Sequence, residues 1–215
     1  MKDKIWTFST WLWLLALAIV ATIYGAWLIY PLEIDFFHLE KVVYLSKETI
    51  YYNFNILMSY LTNPFSTVLD MPSFSSSASG LGHFRDVKHL FQIAQAILLL
   101  LAYPSWRFLK QAKENKSFFL HEKAFISAAV VPIIVGLMAV LIGFDNFFTM
   151  FHEVLFPGDS SWLFNPATDP IIWVLPEEFF LHCFALFFAL YEVIMISLVV
   201  IGRRQLKKRT DSKDN

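Results

Sequence analysis

A single cysteine, Cys183, in a chain of 215 residues excludes an internal disulfide, and its place inside an apolar run is the ordinary setting of a small packing side chain. Charge is also scarce. Only 16% of the residues are Asp, Glu, Lys or Arg, against about 25% in a soluble domain. Familiar catalytic and binding signatures are missing as well. His152 is followed by Glu153, Val154, Leu155 and Phe156, so the HExxH zinc signature is not completed, and no cysteine pair exists. The run FSSSASG offers hydroxyls without the GxSxG elbow of a serine hydrolase. No glycine-rich phosphate loop is found. These absences leave histidine, carboxylate and aromatic side chains to carry any chemistry, and His83, Asp86 and His152 as the one combination that could hold zinc.

Hydrophobic residues make up 57% of the chain. They gather into four stretches: Ile5–Leu32, Leu90–Trp106 and Ala124–Phe144 without a charge, and Phe179–Gly202 broken only by His182 and Glu192. A hydrocarbon core takes roughly 20 helical residues to cross. The expected fold class is therefore an all-α membrane protein with four transmembrane helices, at about 8–30, 88–108, 124–144 and 178–202. The first stretch exceeds the usual apolar length of a secretory signal and is read as an uncleaved anchor. Pro104, Pro132 and Gly136 fall within these segments, where membrane helices tolerate them. Residues 1–206 read as one integral membrane domain and 207–215 as a disordered tail.

Basic residues are confined with strong asymmetry. Lys and Arg stand at positions 2 and 4, five times from Arg107 to Lys123, and six times from Arg203 to Lys213, whereas Asp145–Glu178 holds six acidic residues and no basic one. The positive-inside rule puts both termini and the 107–123 connection in the cytoplasm, and segments 31–87 and 145–177 on the outer face. The basic clusters serve topology and anionic headgroups rather than nucleic acid. Short helices, with one short strand, are expected to build an extracytoplasmic cap from the two outer segments. In the first, Ser46 caps a helix with Ile50, Phe54, Leu57, Met58 and Leu61 on one face, ending at Asn63 and Pro64. In the second, Asp145 caps a helix whose face is Phe147, Phe148, Phe151 and Leu155.

Histidine is the side chain that exchanges protons near neutral pH. His121 falls in the basic cytoplasmic connection and reads as solvated. His38 and His182 read as interfacial hydrogen-bonding groups. His83 and Asp86 are three residues apart at the start of the second span, on one helix face, so the carboxylate can hold one imidazole nitrogen. His152 lies in the other outer segment, at a similar membrane depth. The two histidines form a candidate site for general acid and base chemistry on a lipid-borne substrate, with Asp86 and Glu153 as supporting carboxylates and no metal or cofactor. Glu192, near the middle of the last span, is expected to be protonated or bonded to Gln92 or Gln95.

Together with the four-helix plan, HFRDVK before the second span and FHEVLFPGDSSWLFNPATDPIIWVLPEEFF before the fourth resemble the lipoprotein intramolecular transacylases, the Lit family. The resemblance runs from the first helix to about Gly202. It implies a bacterial cell-membrane acyltransferase whose partner is the diacylglyceryl-modified N-terminal cysteine of a lipoprotein. One acyl chain would pass from the glyceryl sn-2 ester to the cysteine α-amine, giving a lyso-form lipoprotein, with the family's two histidines falling on His83 and His152. The chain is expected to act as a monomer among membrane lipids. Three other classes compete: a small transporter, which should show repeats or broken helices; a redox subunit, which should carry histidines inside its spans; and a non-catalytic membrane partner protein.

Overall fold

The computed structural model describes residues 2–211, and side chains from residue 4 onward. Among the described residues the chain is helical and contains no strand: where a short strand is expected in segment 65–82, residues 65–77 are turns and irregular chain and the rest is helix. The α-helices are α1 (Lys2–Phe36), α2 (Leu39–Val43), α3 (Lys47–Thr62), α4 (Ala78–Leu100), α5 (Ala102–Glu114), α6 (Glu122–Ile142), α7 (Phe144–Leu155) and α8 (Glu177–Asp211). Short 3-10 turns occupy Phe118–His121 and Pro170–Val174.

Helices α1, α6 and α8 are each long and apolar enough to cross a membrane, and α4 with α5 makes a fourth if that pair forms one span. The pair bends by 49°. Pro104 is the cause that the sequence supplies: its ring crowds the carbonyl four residues back, at Leu100, where α4 stops. What reads in the sequence as one uncharged stretch is thus two helices. At the other end of the chain α8 continues to Asp211, so residues 207–211 are helical where the sequence suggests a disordered tail, and 212–215 lie outside the described residues.

The chain divides into two compact units. One comprises Met1–Ala21, Ala94–Leu141 and Ala185–Asn215. Its core is Leu14, Ala18, Phe118, Phe125, Ala129, Tyr191 and Met195. Buried aromatic hydroxyls and ring N–H groups need partners in an apolar setting, and they find them here: Trp11 Nε1 donates to the Tyr191 hydroxyl at 2.8 Å, which donates to the Ala128 carbonyl at 3.1 Å. Arg203 bonds Glu122 at 2.7 Å. His121, expected to be solvated, instead lies 2.9 Å from the Thr7 hydroxyl and packs on Phe108. Both Glu192 carboxyl oxygens are buried without a hydrogen bond, so of the two expectations for this residue the hydrogen bond to Gln92 or Gln95 is not made.

The other unit comprises Thr22–Ile93 and Ile142–Phe184 and holds both histidines of the candidate site. Ser46 accepts a bond from the Thr49 N–H and starts α3, whose anchors Ile50, Phe54, Leu57, Met58 and Leu61 are all buried. Phe54 stacks on Tyr30 of α1, and the Tyr30 hydroxyl donates to the Val174 carbonyl at 2.6 Å. Asn53, fully buried, donates to Thr49 O and accepts from Ser73 N, which fixes the irregular chain leading to α4. His182 bonds Glu33 at 2.9 Å and stacks on Phe37, the kind of role expected for it.

Candidate active site

Helix α4 begins where its sequence provides a cap. The Ser77 hydroxyl accepts from the Gly80 N–H at 3.0 Å, satisfying one of the donors a helix start leaves open. Asp169, from the second outer segment, accepts the Ser77 N–H at 2.7 Å through one oxygen and the Thr168 hydroxyl at 2.7 Å through the other. Only a glycine fits at position 80, because a Cβ there would lie 2.2 Å from Asp169 Oδ1 and 2.8 Å from the Phe164 ring. The start of α4 is thereby fastened to the loop that follows α7. His83 stands one turn further along α4.

His152 is set by its own helix. Gly143, at φ 83°, is the residue that precedes α7, and Asp145 sits in the first turn rather than at the expected capping position. The His152 Nδ1 lies 2.7 Å from the Phe148 carbonyl oxygen, one turn back. A carbonyl oxygen only accepts, so Nδ1 carries the proton in this contact and the neutral ring keeps its lone pair on Nε2.

The two imidazoles, 69 positions apart in the chain, have ring centroids 5.7 Å apart. Aromatic rings enclose them. Trp162 stacks on His152 at 4.8 Å and 24°, and Phe148 meets it edge-on at 4.4 Å. Phe156 touches both rings, at 5.0 Å from His83 and 6.0 Å from His152, while Phe164 meets His83 at 5.6 Å. Exposure is only 6% for His83 and 8% for His152, so both rings are shielded from solvent. The turn linking these aromatics is tied by Asp159 N to Phe156 O, by Ser161 N and Oγ to the Asp159 carboxylate, and by Trp162 Nε1 to Asp159 O.

Burial disfavours a charged imidazole. Ahead of the uncharged stretch of α4, His83 is pushed down to about 4, first by burial and then by its neighbour His152, against the opposing pull of Asp159 and Asp86. Burial also lowers His152, with the Phe148 carbonyl acting in the other direction. Asp159 is held below the usual carboxylate range, chiefly by its bonds from Ser161. Both rings are therefore neutral near pH 7, the state in which one can accept a proton and the other can donate a hydrogen bond.

The supporting carboxylates stand elsewhere. Asp86 lies 4.0 Å from His89 Nδ1, while His83 Nδ1 is buried without a hydrogen-bond partner, so Asp86 does not hold the His83 ring. Glu153 is exposed and takes no part in the contacts around the two rings. Among the described residues no three His, Cys, Asp or Glu side chains come together as a metal site. Sequence reasoning missed Phe156, Asp159, Trp162, Phe164 and Asp169. Their signal was local composition, a turn-rich GDSSW stretch beside apolar aromatics, which shows no periodicity to mark which side chains turn inward.

A helical protein with several helices long and apolar enough to cross a membrane, carrying a shielded pair of imidazoles in an aromatic surround, has the form of a membrane-integral protein. Residues 4–180 match the family model of the lipoprotein intramolecular transacylase Lit. The chain is similar to the solved structure of the membrane-integral lipoprotein intramolecular transacylase Lit from Bacillus cereus, at 29% identity and a TM-score of 0.84, over 96% of this chain and 94% of that one. Two variants of that protein, in which a histidine is replaced by arginine or by alanine, match at 30% identity and a TM-score of 0.77, covering 97% and 96% of this chain and 92% of theirs. No curated protein matches. The chain belongs to the lipoprotein intramolecular transacylase family, and is thereby an acyltransferase of the membrane.

Proposed function

We propose that the chain moves one acyl chain of a lipoprotein's diacylglyceryl-modified N-terminal cysteine from the glyceryl sn-2 ester to the cysteine α-amine, leaving a lyso-form lipoprotein. The observation that carries this reading is the 5.7 Å approach of His83 and His152 within one aromatic enclosure. An α-amine has an ordinary pKa of about 8; it attacks as the neutral amine, its ammonium proton having gone to solvent, and must lose one further proton as the amide forms. His152 is suited to take it, since Nδ1–H is committed to Phe148 O and Nε2 is left basic. The His83 Nδ1 is enclosed, leaving Nε2 to present N–H to the ester carbonyl and to the oxyanion that develops there.

In the balanced reaction, the amine nitrogen bonds to the sn-2 acyl carbon and its proton passes to His152 Nε2. The carbon–oxygen ester bond then breaks, and the glyceryl oxygen takes the proton back from His152. The face of Trp162 against His152 favours the imidazolium formed between these steps. Donor and acceptor belong to one molecule, so holding it still replaces a bimolecular encounter with a unimolecular one. Ester to amide is downhill, and the reaction needs no cofactor or metal.

The charge asymmetry of the sequence supports both termini in the cytoplasm and a site at the outer leaflet. The test is mass spectrometry of a synthetic diacylglyceryl-cysteinyl peptide incubated with the purified protein. The reading requires a product of unchanged mass whose fragments carry one acyl group on the α-nitrogen. A peptide that keeps both esters, or loses one to water, overturns it.

A further inference from the structure

Next to the histidine pair lies a hollow of about 350 Å³, within the size range of ligand sites, which the proposed reaction leaves unused. Ser79 and Gly80 in the first turn of α4 form one side, and Ser160, Ser161, Asn165 and Thr168 of the loop after α7 form the other. Phe164 lines the hollow and also packs on the His83 ring, so one side chain touches both. No Lys, Arg or His lines it. Its one ionisable residue, Asp169, is 2% exposed with both carboxyl oxygens bonded, and it presents no free charge.

These features select the occupant. A phosphate group would need a cation, and an acyl chain would find only Leu163 and Phe164 to pack on while covering the serine, threonine and asparagine groups. An uncharged chain rich in hydrogen-bonding groups fits both conditions. The Ser161 and Thr168 hydroxyls are tied to Asp159 and Asp169, which stiffens the wall. Ser79, Ser160 and Asn165 are exposed and present their polar groups to whatever enters.

We infer that this hollow binds the polypeptide main chain immediately following the modified cysteine of the substrate. The inference rests on the transacylase reading and deepens it. Phe164 borders both the hollow and the His83 ring, so a chain running from the histidines into the hollow passes this side chain. Hydroxyl and amide groups that bond peptide N–H and C=O accept many sequences, because they read the backbone rather than its side chains.

The experiment compares three substrates on the wild-type protein in detergent: the diacylglyceryl-cysteine amide alone, the same cysteine carrying a four-residue peptide, and that peptide N-methylated at its first two amides. The peptide substrate should have a KM roughly tenfold below that of the amide, about 1.4 kcal/mol of binding. N-methylation should remove the advantage. In Ser79→Phe, which projects a ring into the hollow, the ratio of the two KM values should fall toward one. Equal KM values for amide and peptide, an advantage that survives N-methylation, or an unchanged ratio in a folded Ser79→Phe overturns the inference while leaving the acyl transfer intact. Conversion of none of the three substrates overturns the transacylase reading itself.

Discussion

Replacing Gly80 by alanine tests how His83 is held in place. A methyl group at that position would sit 2.2 Å from Asp169 Oδ1, an atom that cannot swing aside because Asp169 is bonded to Ser77 N and to the Thr168 hydroxyl. Overpacking costs about 1–3 kcal/mol, and a hydrogen bond to a carboxyl that must lengthen adds about 1 kcal/mol. The better helix propensity of alanine offsets roughly 0.5–1 kcal/mol. The net expectation is a loss of about 1–3.5 kcal/mol, or a Tm lower by roughly 2–14 °C for a chain of this size. Gly82 supplies the control, because a Cβ there meets nothing within 4 Å, and Gly82→Ala should be neutral or slightly stabilising. Thermal unfolding in detergent, followed by reaction of a thiol dye with the lone Cys183, reads both variants. A Gly80→Ala protein that unfolds with the wild type, or a Gly82→Ala protein that loses as much, refutes the account of how α4 is fastened.

Acid should destabilise the fold in a defined window. The folded protein keeps His83 and His152 neutral, while the unfolded chain takes up protons below about 6.5, so stability falls as pH drops from there toward about 4. Tm measured against pH should flatten across this window in the double variant His83→Asn/His152→Asn, and an unchanged slope would contradict the burial argument. Trp162→Leu removes the face that favours the His152 imidazolium, an interaction of about 0.5–2 kcal/mol. Its kcat should fall roughly 2- to 30-fold with KM nearly unchanged; a rise in KM alone would assign Trp162 to substrate binding. Reporter fusions after residues 75 and 160 should both report the outer side, and a cytoplasmic signal from either would reverse the orientation.

Much of the scaffold is legible in the sequence because its signals are local. Long apolar runs mark helices α1, α6 and α8, Ser46 marks the start of α3, and the spacing of Ile50, Phe54, Leu57 and Met58 marks its buried face. Charge asymmetry puts His83 and His152 in segments of the same kind, and the structure brings their rings together. The partners of those rings were not legible, for a physical reason. Asp86 is three residues from both His83 and His89, and the helix repeat favours neither. His83 turns into the aromatic enclosure built by Phe156 and Phe164, which leaves Asp86 beside His89. The fastening of Ser77 by Asp169 spans 92 positions and depends on a turn whose geometry has no repeat. Pro104 stands in plain view in the sequence, but membrane helices also carry proline without a break, so the 49° bend is not written in the residue alone.

The central claim is that two neutral imidazoles share one ester. Its most direct test gives purified wild-type, His83→Ala and His152→Ala proteins a lipopeptide with an isotope-labelled sn-2 acyl chain, once each variant is shown to unfold cooperatively. Label should reach the α-nitrogen with the wild type and stay on the glyceryl oxygen with either variant. Transfer at the wild-type rate by either one would contradict the account.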